Sequence, residues 1–143
     1  QIASMDTWTA NGEPETEAFA GTAVYTTTFD APADAGPHAL DMGRVCHSAR
    51  VCLDGEHLGT LIMPPYRIVL PRLRAGNHRL EVEVTNLSAN RIRDMDRRKI
   101  PWRAFHDINF VNIRYQPFDA SRWPILESGL LGPVTVRVCD VGN

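Results

Sequence analysis

Hydrophobic and polar residues alternate along most of this chain with a period of two. In "GTAVYTTTF", residues 21–29, Ala23, Tyr25, Thr27 and Phe29 interleave with Thr22, Val24, Thr26 and Thr28. Alternation of β-branched and aromatic residues predicts a strand with one face turned inward. "DAPADAGPH" follows and reads as a loop. "ALDMG" predicts a second strand with Leu40 and Met42 on one face. "RVCHSARVCLDGEHLG" places Val45, Ala49, Val51 and Leu53 at alternate positions and breaks at Asp54-Gly55, a hairpin signal. "EHLGTLI" is its expected partner, and "PPYRIVLPRL" opens on two prolines, Pro64 and Pro65, at a strand start that tolerates them. After a turn at Gly76-Asn77, Leu80, Val82 and Val84 point inward and Glu81 and Glu83 outward. "SGLLGPVTVRVCDV" predicts one last strand. Seven or eight short strands with little helical periodicity predict an all-β β-sandwich or jelly roll, a single domain over residues 1–143.

The strand pattern stops between Asn86 and Leu131, a long insertion near residues 87–128. Connections of that length inside a compact domain are usually functional or carry added structure. "INFVNIRY" predicts one more strand there, and "NRIRDMDRR" a single helical turn with Ile92 and Met95 on one side. The stretch 90–112 holds five arginines, one lysine, three aspartates, a tryptophan and a histidine in 23 positions.

Charge and cysteine content narrow the function classes. With 15 basic and 17 acidic residues in 143, the chain lacks the basic excess of a polyanion binder. The acidic residues among Arg97, Arg98, Lys99, Trp102 and Arg103 cancel much of their field, so no nucleic-acid partner is expected. No run approaches a membrane helix. The three cysteines, Cys46, Cys52 and Cys139, cannot form a complete disulfide framework. Cys46 and Cys52 are read as sharing one strand, with Cα atoms ~20 Å apart at ~3.3 Å per residue, beyond disulfide reach. All three are read as packing residues. Zinc spacings such as CxxC or HExxH are missing. The chain begins at Gln1 rather than Met, as expected of a processed protein or a cut-out domain.

Several motifs carry a family resemblance. Gly21-x-Ala23-x-Tyr25 leads to Phe29, and Ala49-x-Val51-x-Leu53-Asp54-Gly55 to Leu58-Gly59. Tyr66, Gly76-Asn77-x-x-Leu80-x-Val82-x-Val84-x-Asn86 and Gly129-x-x-Gly132-Pro133-Val134 follow in order. Together they resemble the sugar-binding-type, galactose-binding-like jelly roll of family 2 glycoside hydrolases. "NLSANRIRDMDRR", "FHDINFVNI" and "PFDASRWP" look like the C-terminal β-sandwich of glycoside hydrolase family 106 α-L-rhamnosidases. Cys52 departs from the pattern, where a bulky aromatic is expected, and so does Asp54, where Asn is usual.

The resemblance implies a non-catalytic module, cut from a larger secreted or periplasmic bacterial glycoside hydrolase whose carboxylates lie in another domain. Its expected partners are a plant-type or other polysaccharide and that catalytic domain. Rhamnose and galacturonate enter as sugars only this way. The module is expected to be a monomer with no cofactor. A structural Ca²⁺ is allowed by the resemblance, but no Asp-rich loop here names its ligands.

The residues leave two roles open for the insertion. Trp102, Trp123 and Tyr115 supply possible platforms for a pyranose ring. Arg91, Arg93, Asp94, His106, Asp107, Asn109 and Asn112 supply polar partners for its hydroxyls. Alternatively the aromatics form a small core and the charges pair, leaving a ligand-free docking module. Catalysis is not expected. Asp94, Asp96, Asp107, Asp119 and Glu127 are dispersed rather than set as a convergent pair. His106, Asp107 and Ser121 lack a nucleophile elbow.

Overall fold

The computed structural model describes residues 6–32, 36–103 and 117–138. Nine strands account for most of them: β1 (Thr22–Ala31), β2 (His38–Asp41), β3 (Arg44–Cys46), β4 (Ser48–Leu53), β5 (Glu56–Leu61), β6 (Arg67–Leu70), β7 (Gly76–Thr85), β8 (Gly129–Gly132) and β9 (Thr135–Val138). A 3-10 turn (Trp8–Asn11) and α1 (Pro14–Glu17) precede them, and α2 (Ala89–Arg97) follows β7.

The strands form a four-stranded sheet in the order β1-β7-β4-β5, a three-stranded sheet β6-β2-β9 and a β3-β8 pair. Every named pair is antiparallel. Register explains which face is buried. Tyr25 stands opposite Val82, which stands opposite Val51; Thr27, Leu80 and Leu53 form the next row. Paired residues share a face, so these rows turn the alternating apolar positions into one wall of the core. Leu40 and Met42 from the β2 side and Leu130 from β8 close on it, all at most 2% exposed. Burying a side chain such as Val51 completely stabilises the fold by about 1.5–3 kcal/mol. The result is the predicted all-β sandwich.

Four local readings change. The segment holding Cys46 and Cys52 is two strands rather than one. At His47 the chain leaves β3, paired with β8, and enters β4 between β5 and β7. Tyr66 fixes the break by donating its O–H to the His47 carbonyl at 2.6 Å. Both thiols are buried and free; Cys139 lies outside the described residues. The last strand is also two, since Pro133 separates β8 from β9. Gly76 and Asn77 already pair with Ala31 and Asp30, so the turn lies before them.

The predicted single turn in the insertion is a nine-residue helix, α2. Tertiary clamps extend it, because its own N-cap, Ser88, makes no side-chain capping bond. It ends in a Schellman arrangement: Ile100 N–H bonds to the Met95 carbonyl at 2.8 Å and Lys99 N–H to the Asp96 carbonyl at 3.1 Å. Lys99 takes the left-handed position, φ 55°, that glycine usually fills. "INFVNIRY", residues 108–115, lies outside the described residues.

Candidate functional site

The N-terminal segment and α2 lie beside one another at one end of the sandwich, each pinned by a buried asparagine. Asn86, at the end of β7, accepts from Gly21 N–H at 3.0 Å and donates to the Phe19 carbonyl at 2.8 Å and to Ser128 Oγ at 3.0 Å. Further upstream, Thr7 exchanges two bonds with the Ser128 backbone at 3.0 and 2.8 Å. Trp8 donates its indole N–H to the Tyr25 hydroxyl at 2.5 Å and meets Phe19 edge-on at 5.5 Å. Trp8 thus covers one end of the sandwich beside Phe19.

Asn90 pins the helix. It donates to the Leu126 carbonyl at 2.7 Å and accepts from the Leu126 N–H at 2.8 Å. Asp96, on the same helix, accepts from the Trp102 indole at 2.7 Å, from Ala120 N–H at 2.7 Å and from Arg103 at 3.4 Å. These donors, the Ala120 N–H foremost, hold its carboxyl below the usual aspartate range. Asp119 is held low as well, by the Ser121 hydroxyl and N–H.

The structure splits the predicted sugar-binding set. Trp102 and Trp123 share an aromatic strip. Phe118 meets Trp102 edge-on at 6.0 Å and Trp123 at 5.4 Å. Arg103 lies over Trp102 and Phe118 at 5.3 and 5.1 Å and donates to the Phe118 carbonyl. Arg93 braces the strip by donating to the Trp123 carbonyl at 2.7 Å. Trp123, Ile125 and Leu126 remain 37–39% exposed and Phe118 43%.

Arg91 and Asp94 lie instead in a groove between α1 and α2. Its larger lobe, about 690 Å³, is lined by Glu15, Phe19, Arg91, Asp94 and Arg98 among others. A second lobe of about 320 Å³ runs toward Glu17, Asn90, Arg93 and Arg97. Within the groove Asp94 pairs with Arg91 at 3.7 Å and with Arg98 at 3.4 Å. Tyr115, His106, Asp107, Asn109 and Asn112 lie outside the described residues. Sequence reasoning missed Phe19 and Glu15, which sit some seventy residues upstream of the helix they face; no periodic signal joins them to it.

Of the described carboxylate candidates, Asp96 is enclosed by its donors, Asp94 lies between two arginines, Glu127 pairs with Arg44, and Asp119, held by Ser121, lies near enough to Asp96 to feel its charge. Among the described residues no group of three or more His, Cys, Asp or Glu is placed to hold a metal ion. No described helix is long and apolar enough to cross a membrane.

With this geometry in place, the chain can be set beside known proteins. No protein-family model matches it. A Formosa agariphila protein named "Putative beta-glucuronidase" is 31% identical over 156 aligned residues, which cover 94% of this chain and 13% of that protein. The solved rhamnosidase from Novosphingobium sp. PP1Y superposes with a TM-score of 0.72 at 26% identity, over 94% of this chain and 12% of the other. A Ruminococcus gnavus β-glucuronidase shares the fold at TM-score 0.51 and 14% identity, over 60% of this chain. The chain thus resembles a β-sandwich of sugar-cleaving enzymes and spans about an eighth of their length.

Proposed function

We propose that the chain is a non-catalytic accessory module of a larger, rhamnosidase-like glycoside hydrolase, and that it contributes carbohydrate binding to that enzyme. What supports the reading is one proportion: 94% of this chain aligns to 13% of one such protein and 12% of another. A domain that recurs whole inside a much longer enzyme is a part with a supporting task. Among the described residues Asp94, Asp96 and Glu127 are each already paired with an arginine, which agrees with it, since glycoside cleavage needs two carboxyl groups free to converge on one bond. The C-terminal sandwich of family 106 rhamnosidases is the parent type that its motifs favour, working in the periplasm or outside the cell. The 143 residues form one such domain, expected as a monomer when isolated.

An antibody against this domain tests the reading in the source cells. The expected result is a band several-fold larger than 16.0 kDa that carries α-L-rhamnosidase or β-glucuronidase activity on immunoprecipitation. The isolated chain should hydrolyse neither substrate. A 16.0 kDa native protein, or hydrolysis by the isolated chain, would overturn it.

A second reading is a ligand-free module that only docks against its catalytic domain. The exposed strip of Phe118, Trp123, Ile125 and Leu126 favours it, because contiguous exposed apolar groups mark interaction surfaces.

A further inference from the structure

We propose that the groove between α1 and α2 binds an uncharged saccharide, with Phe19 as its apolar wall and Arg91, Asp94 and Arg98 as its hydroxyl-binding groups. This inference rests on the carbohydrate-binding reading above and places the sugar away from the two tryptophans.

Three observations carry it. The first is chemical. A sugar hydroxyl both donates and accepts, whereas guanidinium only donates and carboxylate only accepts. The order Arg91, Asp94, Arg98, one and then the next helical turn along a single face, presents donor, acceptor and donor side by side. Vicinal hydroxyls can bridge such a row with charge-assisted bonds. Phe19, 41% exposed, adds the apolar surface that the C–H face of a pyranose needs.

The second is electrostatic. In the larger lobe, where Phe19 lies, the charges of Arg91 and Arg98 are balanced by Asp94 and Glu15; the second lobe adds Arg93, already engaged by the Trp123 carbonyl, and Arg97 against Glu17. Asp94 already sits between the two guanidinium groups, so an anionic sugar in the larger lobe would meet a carboxylate where it needs a cation. The balance of that lobe favours a neutral ligand.

The third is rigidity. Asn86 fixes the backbone on both sides of Ala20, and Asn90 and Asp96 fix the helix. Neither wall depends on the ligand for its position, which lowers the ordering cost of binding. The larger lobe, about 690 Å³, is in the range of small-molecule sites.

The test is calorimetric titration of the 143-residue chain with neutral rhamno-, galacto- and gluco-oligosaccharides beside oligogalacturonate. The expected result is saturable binding of at least one neutral oligosaccharide, weakened at least tenfold by Arg91→Gln and by Phe19→Leu. Arg91→Gln alters an exposed side chain and leaves helix packing alone, so its loss of binding is not a loss of fold. Gly21→Ala gives a second probe of the wall: its Cβ would come 2.8 Å from the Phe19 ring and displace it without altering any charge. Binding of oligogalacturonate alone would overturn the choice of a neutral ligand. Binding abolished by Trp123→Ala and untouched by Arg91→Gln would overturn the groove while keeping the carbohydrate reading. Silence across the panel from a folded chain would overturn both the groove and the sugar. The accessory-module reading would still stand or fall on the size and activity of the native chain.

Discussion

Asn86 and Asn90 are both buried and, from one short stretch of chain, fasten two separate segments to the sandwich. Asn86 holds the backbone at Phe19 and Gly21, and Asn90 holds the backbone of Leu126. In each case the amide presents its oxygen to an N–H and its nitrogen to a carbonyl. Only a side chain with both functions can satisfy a backbone segment this way. The groove therefore owes its shape to two amides at the exit of β7.

Asn90, itself only 3% exposed, makes both bonds that clamp the Leu126 backbone, and Asn90→Ala removes them, leaving the Leu126 carbonyl only the 3.5 Å bond from the Ser128 hydroxyl. Losing two hydrogen bonds at this site is expected to cost about 2 kcal/mol. Urea unfolding checks this. Asn90→Asp should be no better, because a carboxylate faces the Leu126 carbonyl where an N–H is required. A loss below about 1 kcal/mol in both variants would mean that water replaces the amide.

The strands were legible and the clamps were not. Alternation in β1 and β7 and the Asp54-Gly55 turn are local patterns, written in neighbouring residues, and the structure follows them closely. Asn90 sits inside a charged run and looks like any surface residue. Its importance comes from Leu126, thirty-six positions later. The same cause lengthened α2 beyond its single predicted turn and hid α1, whose four residues contain no apolar side chain longer than proline. In the sequence, residue type and place in the insertion make Trp102 and Trp123 either sugar platforms or parts of a small core. The structure gives each a partner, Asp96 for one and Phe118 for the other. Asp54, the departure from the expected Asn, also acquires a reason, since its carboxylate takes bonds from two groups on β7.

Those two groups predict a pH dependence. His78 Nδ1 lies 2.6 Å from the Asp54 carboxylate and Nε2 lies 2.9 Å from the Arg74 carbonyl. Both partners only accept, so the ring satisfies both at once only when it is protonated and each nitrogen donates; Phe29 packs against it at 5.8 Å. The Arg74 carbonyl first, then Asp54, raises its pKa. A raised folded-state pKa gives stability that is full below about 6.5, the unfolded value, and is lost as pH climbs through the folded one. Asp54 is lowered by the Arg79 N–H and by His78, so its contribution is full above about 3.9 and is lost as pH falls through its folded value. The stability difference between the native chain and His78→Ala should therefore peak between about pH 4 and 6.5 and shrink on either side. Urea midpoints across pH 2–9 measure it. A flat difference would show that the pair carries no charge-dependent stability.

Asp96 predicts acid loosening of the insertion. Its lowered pKa means that its bonds to Ala120, Trp102 and Arg103 contribute fully above about 3.9 and weaken as pH falls through the folded value. Trp102 fluorescence, isolated as the difference from Trp102→Phe, should shift to the red in that acid window. In Asp96→Asn it should already be shifted at pH 7, because one amide cannot accept from all three donors and offers an N–H where acceptance is needed. An unchanged emission in Asp96→Asn would show that the Phe118 contact alone seats the indole.

Lys99 predicts a gain. Its φ of 55° closes the Schellman end of α2, and the chain turns into Pro101 two residues on. A side chain with a Cβ costs about 1–2 kcal/mol in the left-handed region, whereas glycine enters it freely. Lys99→Gly should therefore stabilise the chain by about 1 kcal/mol, even after the added flexibility of the unfolded state. Removing one cation from the helix C-terminus offsets only a few tenths of that, and Arg97 and Arg98 keep positive charge there. For a domain of this size the shift in Tm is about 3–5 °C. Lys99→Ala separates the causes: it removes the same charge and retains the Cβ, so it should give no gain. Equal stabilisation by both variants would place the strain in the lysine charge rather than in the backbone.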